Sequence, residues 1–238
     1  MTIGIIGADG FIGKYLVQVF KSIHHVIKIT RKDYDSYHRA KFDCIINANG
    51  NSRKFWANKH PEEDFKASVE SVYNSTRDFR FSKYIYLSSR DAEQDKIQSI
   101  YGYNKFIAEK IVKKYCRDYS IVRLPSVIGL DSKKGVVHDI WHGNEVYLSP
   151  ESTLMLMSAQ EIAEQLLFNF DELEPLERFY PSMNITIEQI GGILCKEVKY
   201  ALNGAHYYRS ELYNVVGRHR QFKTSGEYLK TTYDERME

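Results

Sequence analysis

The sequence predicts an α/β fold, a doubly wound parallel sheet followed by a small C-terminal subdomain. Three observations predict it. The chain opens on a short apolar run, Ile3 to Ile6, that stops at three glycines spaced three apart, Gly7, Gly10 and Gly13. From there to Leu124, apolar runs of strand length alternate with segments of helical period, the pattern of a parallel sheet covered on both faces. Beyond Leu130 that rhythm is lost. The expected division is 1–130 for the sheet domain and 131–238 for a lid, with about 159–170 returning to the sheet domain.

Each element has a local reason. Behind the glycines, Ile12, Leu16, Phe20 and Ile23 recur on one helical face. A buried strand, a tight turn and an open helix N-terminus follow one another. Outward amides and the helix dipole favour an anion there, and a diphosphate fits. Gly7 makes the turn, Gly10 admits phosphate to the backbone, and Gly13 lets the helix lie close to the strand. Val26 to Thr30 is the second strand. Tyr34 to Lys41 is too short for another strand–helix unit. Cys44 to Ala48 is the third strand, ending in Asn47-Ala48-Asn49-Gly50. Pro61 starts a helix to about Phe79, with Phe65, Val69, Val72 and Tyr73 on one face. Tyr84 to Leu87 is a strand closing on Ser88-Ser89. A helix from Tyr101 to Tyr115, with apolar Ile107, Ile111 and Tyr115, precedes a strand from Ser120 to Leu124. Helices are expected again over Ala159–Phe168 and about Thr186–Lys196.

Composition narrows the function classes. The 33 basic and 31 acidic residues leave a net charge of +2, which argues against a nucleic-acid surface. No apolar stretch is long enough to span a membrane. The first residues enter a core strand at once, so no secretory leader is expected. Cys44, Cys116 and Cys195 are odd in number and widely spaced, which reads as reduced thiols in a cytoplasmic protein.

The chemistry-bearing pair is Tyr101 and Lys105. Four residues apart on a helix, they share one face. An ammonium beside a phenol favours phenolate and would poise Tyr101 for general acid/base work. The pair follows a strand ending in Ser88-Ser89 and a glycine-rich start. In that order, Tyr101-Gly102 through Glu109 resembles the Tyr-Gly-x-Ser-Lys-x-x-x-Glu segment of the extended short-chain dehydrogenases/reductases. That family includes nucleotide-sugar epimerases, dehydratases and reductases. Tyr86 to Ser89, Asp43 to Gly50, Arg123 to Gly129 and the tail Phe222 to Tyr228 are similar to other segments of the family. The resemblance thus spans nearly the whole chain.

The resemblance implies a Rossmann-like domain and roles at matched positions. Tyr101 is the acid/base, Lys105 holds the cofactor ribose and tunes Tyr101, and Ser89 hydrogen-bonds the reacting oxygen. Gly7, Gly10, Phe11, Ile12 and Gly13 cradle the diphosphate. Asn47, Ala48, Asn49 and Pro125 line the cofactor, and Ser89, Arg90, Ser126 and Arg209 meet the substrate, a nucleotide-linked sugar. The implied activity is an NAD(P)-dependent epimerase or ketoreductase, and the implied assembly is a homodimer through the Pro61 and Tyr101 helices. Departures are equally plain. Ser68 stands where many relatives carry Asn, Asn104 where they carry Ser before the lysine, and Ser126 where they carry Asn. Arg90-Asp91 replaces the Asp-Glu of the dehydratases.

At the end of the second strand, NAD-specific relatives carry an acidic residue. Here Thr30 and Arg31 occupy that place, suited to a 2′-phosphate, so NADP is expected, with NAD the alternative through Asp33. His138 and His142 lack the Glu of a His-Glu-x-x-His motif, and no metal is expected. His24 and His25 read as surface residues. Arg209, Arg218 and Arg220 are either diphosphate clamps or a solvated basic face. The alternative class is a catalytically silent NADP(H)-binding sensor or scaffold, against which the intact Ser89, Tyr101 and Lys105 speak.

Overall fold

The computed structural model describes residues 1–94, 97–201, 208 and 223–233. The chain divides into two units. One takes in Met1–Leu124 and Ala163–Arg178, the other Pro125–Ile162 and Phe179 onward. The break at Leu124 lies six residues before the sequence-based boundary, and the returning segment runs to Arg178 instead of ending near 170.

The first unit is Rossmann-like. It begins β1 (Thr2–Ile6), α1 (Phe11–Phe20), β2 (His25–Ile29), β3 (Lys41–Asn47), α2 (Lys54–Lys59), α3 (Pro61–Phe65) and α4 (Ser71–Asp78). It continues with β4 (Arg80–Ser89), α5 (Ile100–Tyr115) and β5 (Tyr119–Leu124). Six strands run parallel in the order β10-β5-β4-β3-β1-β2, the outer one being Leu176–Arg178. The chain turns back on itself between β1 and β3, and a ligand crevice is expected at the carboxyl ends of such strands. Register places Ile6 level with Ile29 on one side and with Asn47 on the other. Gly7, Thr30 and Ala48 therefore leave the sheet side by side.

Strand alternation builds the core. Ile6, Ile29, Ile45, Tyr84, Tyr86 and Ile121 lie on one face and pack with Val72, Ala108 and Val112 from α4 and α5. Leu16 and Phe20 of α1 are fully buried, and the Phe20 ring meets Phe170 at 5.7 Å. Ile23 falls beyond the end of α1 and is 67% exposed, so it is not part of that face. His24 packs against the Phe20 and Phe170 rings and is half-buried, while His25 is exposed.

The helix expected from Pro61 to Phe79 is interrupted by a π-helical stretch at Lys66–Glu70 between α3 and α4. Its buried residues include Asp64, Ser68, Val69, Val72 and Ser75, while Phe65 is exposed. The buried face is thus rotated toward polar residues, because Asp64 and Ser68 have partners inside. Likewise α5 buries Asn104, Lys105, Ala108, Glu109 and Val112 and leaves Tyr115 exposed. The fourth strand is longer than its apolar centre, and α2 carries no strong periodicity to announce it.

The second unit contains β6 (Ser126–Ile128), α6 (Val136–His142), β7 (Glu145–Val146), β8 (Thr153–Leu154) and β9 (Leu156–Ser158). The helix α7 (Ala159–Phe168) leads back to the first unit and β10 (Leu176–Arg178), and β11 (Ile185–Thr186), α8 (Ile187–Leu194), β12 (Lys199–Tyr200) and α9 (Ser225–Tyr233) follow. Among the described residues, three two-stranded ladders, β6 with β9, β8 with β11 and β7 with β12, accompany a core holding Ile140, Leu156, Ile190 and Leu229. Thr186 and Gln189 form a reciprocal cap at the start of α8.

Candidate active site

The three glycines of the turn sit where a Cβ would meet backbone. Gly7 sits at φ +77°, and a Cβ on Gly13 would stand 2.0 Å from the Gly7 carbonyl oxygen. The first turn of α1 therefore closes on the strand end with its amides open, an anion cradle. Beside it lies a cavity of about 480 Å³, lined among others by Gly7, Thr30, Arg31, Asn49, Lys66 and Asn74. Asn47 plays another part. Its amide bonds Ser75 and Tyr84, and its Oδ1 accepts the Asn49 N–H at 2.9 Å, so it shapes the turn that carries Ala48 and Asn49.

The Ser–Tyr–Lys group is assembled by two close approaches. Ser99 caps α5 by accepting the Gly102 N–H. A Cβ on Gly102 would stand 2.4 Å from the Asp91 carbonyl oxygen, so only glycine lets α5 start against the 90–92 turn. That contact brings Tyr101 within hydrogen-bond reach of Ser89. Ser89 Oγ donates to Asp91 Oδ2 at 3.0 Å, and Lys54 pairs with Asp91 Oδ1 at 2.7 Å. Ser88 points the other way and donates to Glu109. Glu109 in turn receives Arg123 through two bonds, 2.9 and 2.7 Å, wholly buried. Two segments that carry the family resemblance are thus joined by one ion pair.

The electrostatics differ from expectation. The sequence argument has Lys105 depress the Tyr101 phenol. Burial dominates instead and drives that phenol above its ordinary value, with Asp91 adding to the effect and the Ser89 hydrogen bond opposing it. Lys105 lies over the Tyr86 ring, 5.1 Å from its centre, and burial lowers it to about 8. Its negative neighbours are Asp64 and Glu109.

Of the remaining sequence candidates, Phe11 and Ile12 lie half-buried in the first turn of α1, and Arg90 is buried in the 90–92 turn. Pro125 is buried and Ser126 exposed, both in the second unit. Arg209 and the Arg218-His219-Arg220 run lie outside the described residues. His138 and His142 stack on α6 with ring centres 4.1 Å apart. Among the described residues no three His, Cys, Asp or Glu side chains gather as a metal site. Sequence reasoning missed Asp64, Asn51 and Lys66. Asp64 lies four residues before Ser68, and that helical spacing was the available signal.

A family model described as the NAD dependent epimerase/dehydratase family matches residues 3–142. The chain belongs to that family. No curated protein matches it. Solved structures share this family member's fold over its full length. A dTDP-4-dehydrorhamnose reductase from Clostridium acetobutylicum aligns over 100% of both chains at 18% identity and a TM-score of 0.79. A UDP-glucuronic acid 4-epimerase from Bacillus cereus, in complex with UDP-glucuronic acid and NAD, does so at 13% identity and 0.81. A dTDP-4-dehydrorhamnose reductase from Bacillus anthracis in complex with NADP aligns over 98% of both chains at 14% and 0.79. A Cβ at Gly7, Gly10 or Gly13 would meet backbone at 3.0 Å or less, and the adjoining cavity is lined by Thr30 and Arg31.

Proposed function

We propose that this family member is an NADP(H)-linked ketoreductase or epimerase acting on the sugar of a nucleotide sugar. The observation that carries the proposal is the convergence of Ser89 and Tyr101, in hydrogen-bond reach, with the buried Lys105 one turn along α5. Bound nicotinamide supplies the hydride chemistry. Tyr101 moves a proton at the carbinol or carbonyl oxygen, and Ser89 holds that oxygen by a hydrogen bond. Burial keeps the phenol protonated, which suits it as the acid of a ketone reduction. Lys105 holds the ribose.

Support for NADP comes from Asp33. Its carboxylate accepts the Thr30 N–H at 2.6 Å and the Thr30 hydroxyl at 2.8 Å, so it is engaged within its own turn. Arg31 and Lys66 line the cavity and offer cations to a 2′-phosphate, although Asp35 lines it too. Exposed Phe65, Tyr103 and Tyr115 on the α3 and α5 surfaces support a homodimer. Cys44, Cys116 and Cys195 are free thiols, which supports a cytoplasmic enzyme.

The test is a screen of nucleotide sugars and their 4-keto forms with each cofactor, followed by product identification. Tyr101→Phe should then cut turnover by a factor on the order of 100 or more while cofactor affinity stays near normal. Undiminished turnover in Tyr101→Phe rules out its assignment, and cofactor binding with no turnover of any substrate favours a silent binder.

A further inference from the structure

We propose that Asp64 is a positioning residue for the Tyr101–Lys105 pair. Its buried carboxylate fixes Asn104 against the loop after β3 and holds a negative charge behind Lys105. This rests on the function proposed above.

Asp64 is fully buried. Its Oδ2 accepts from Asn104 Nδ2 at 2.7 Å, and its Oδ1 accepts from Asn51 Nδ2 at 2.7 Å and from Ser68 Oγ at 3.4 Å. Ser68 Oγ accepts the Asn51 N–H as well. One carboxylate thus ties α3, the π-helical stretch, the loop after β3 and the catalytic helix together.

Asn104 directly precedes Lys105, so anchoring one fixes the other. A Cβ on Gly50, in the same loop as Asn51, would stand 3.1 Å from Lys105 Nζ and 3.6 Å from Ser68 Oγ, which places this network against the ammonium. The groups facing Lys105 are Asp64 from α3, Glu109 from its own helix and the Tyr86 ring from β4. On flanking elements, Lys54 and Asp91 pair with each other, and Glu70 of the π-helical stretch is exposed. Glu109 is already bound by Arg123 and Ser88. The partners of Asp64 are neutral amides and a hydroxyl, so its charge is the less compensated of the two. An opposite charge nearby keeps a buried lysine protonated against desolvation. Burial takes Lys105 down to about 8, and Asp64 opposes that fall.

The experiment titrates Lys105 by NMR of ¹³Cε-lysine in the full chain, with Lys105→Met assigning the signal, and measures NADPH affinity across pH. The wild-type midpoint should lie near 8, and Asp64→Asn should lower it by about one pH unit. NADPH binding should then weaken more at pH 8 than at pH 6.5. An unmoved Lys105 midpoint in Asp64→Asn overturns the electrostatic role. Asn104→Ser keeps the carboxylate and cuts its tie to the helix. It should leave the midpoint near 8 and weaken NADPH several-fold at every pH, and unchanged affinity overturns the positioning role even if Asp64→Asn does not fold. Both readouts need no substrate, so a failed search for a sugar substrate bears on the proposed activity alone.

Discussion

Lys105 is a buried ammonium, 5% exposed, and its protonation should appear in the stability of the protein. Its folded pKa of about 8 lies below the ordinary 10.5. Between those values the unfolded chain binds more protons, so unfolding becomes harder as pH rises through that window. Below pH 8 the cost is present in full. Relative to Lys105→Met, wild-type stability should therefore rise by up to about 3 kcal/mol from pH 8 to 10.5, measured by urea unfolding. No rise relative to Lys105→Met would show that the ammonium is well solvated. The cofactor choice also sits at single residues. Arg31→Ala should weaken NADP(H) at least tenfold and leave NAD(H) little changed, and equal affinities untouched by the substitution refute the preference. That Tyr101 lies by Ser89 with Lys105 one turn on was legible because their order and spacing are local. Asp64 was not. An acidic residue in a first helical turn reads as a surface group favoured by the dipole. Only Asn51 and Asn104, distant by 13 and 40 positions, make it an interior one.

At the scale of elements, two helical glycines make opposite predictions. Gly102 lets the start of α5 touch the Asp91 backbone, and a methyl group there meets a carbonyl oxygen at 2.4 Å. Gly102→Ala should push α5 outward, lower the melting temperature by several degrees and cut turnover tenfold or more, since Tyr101 moves away from Ser89. Among the described residues, nothing lies within 4 Å of the Cβ site of Gly192 in α8. Gly192→Ala should stabilise its helix by about 0.5–1 kcal/mol and leave turnover alone. Thermal scans and initial rates on the two variants check both. In the first unit, β1 to β5 were readable as short apolar runs and α1 from its helical period, whereas α2 and β10 gave no such signal. The π-helical stretch at Lys66–Glu70 was not readable, since its Ser68 accepts the N–H of Asn51 from the loop after β3, a partner outside the helix. In the second unit, strands of two or three residues are too short to show any period.

For the whole molecule, assembly is the open test. Phe65 lines a groove with Pro61, Glu70, Ile100 and Asn104, and its ring is 45% exposed. An apolar groove on paired helices invites a second copy related by a two-fold axis. Light scattering should give about twice the 27.8 kDa chain mass at micromolar concentration, and Phe65→Glu should shift it toward one. A monomer in the unaltered protein refutes this. The first unit is also discontinuous along the chain. Its outer strand, β10, pairs with β5 only after about 50 intervening residues. During synthesis at ~5–20 residues per second, β5 waits on the order of 3–10 s with an open, apolar edge. The nascent chain is then a five-stranded sheet in want of a border, the state in which a ribosome-bound chaperone would find work.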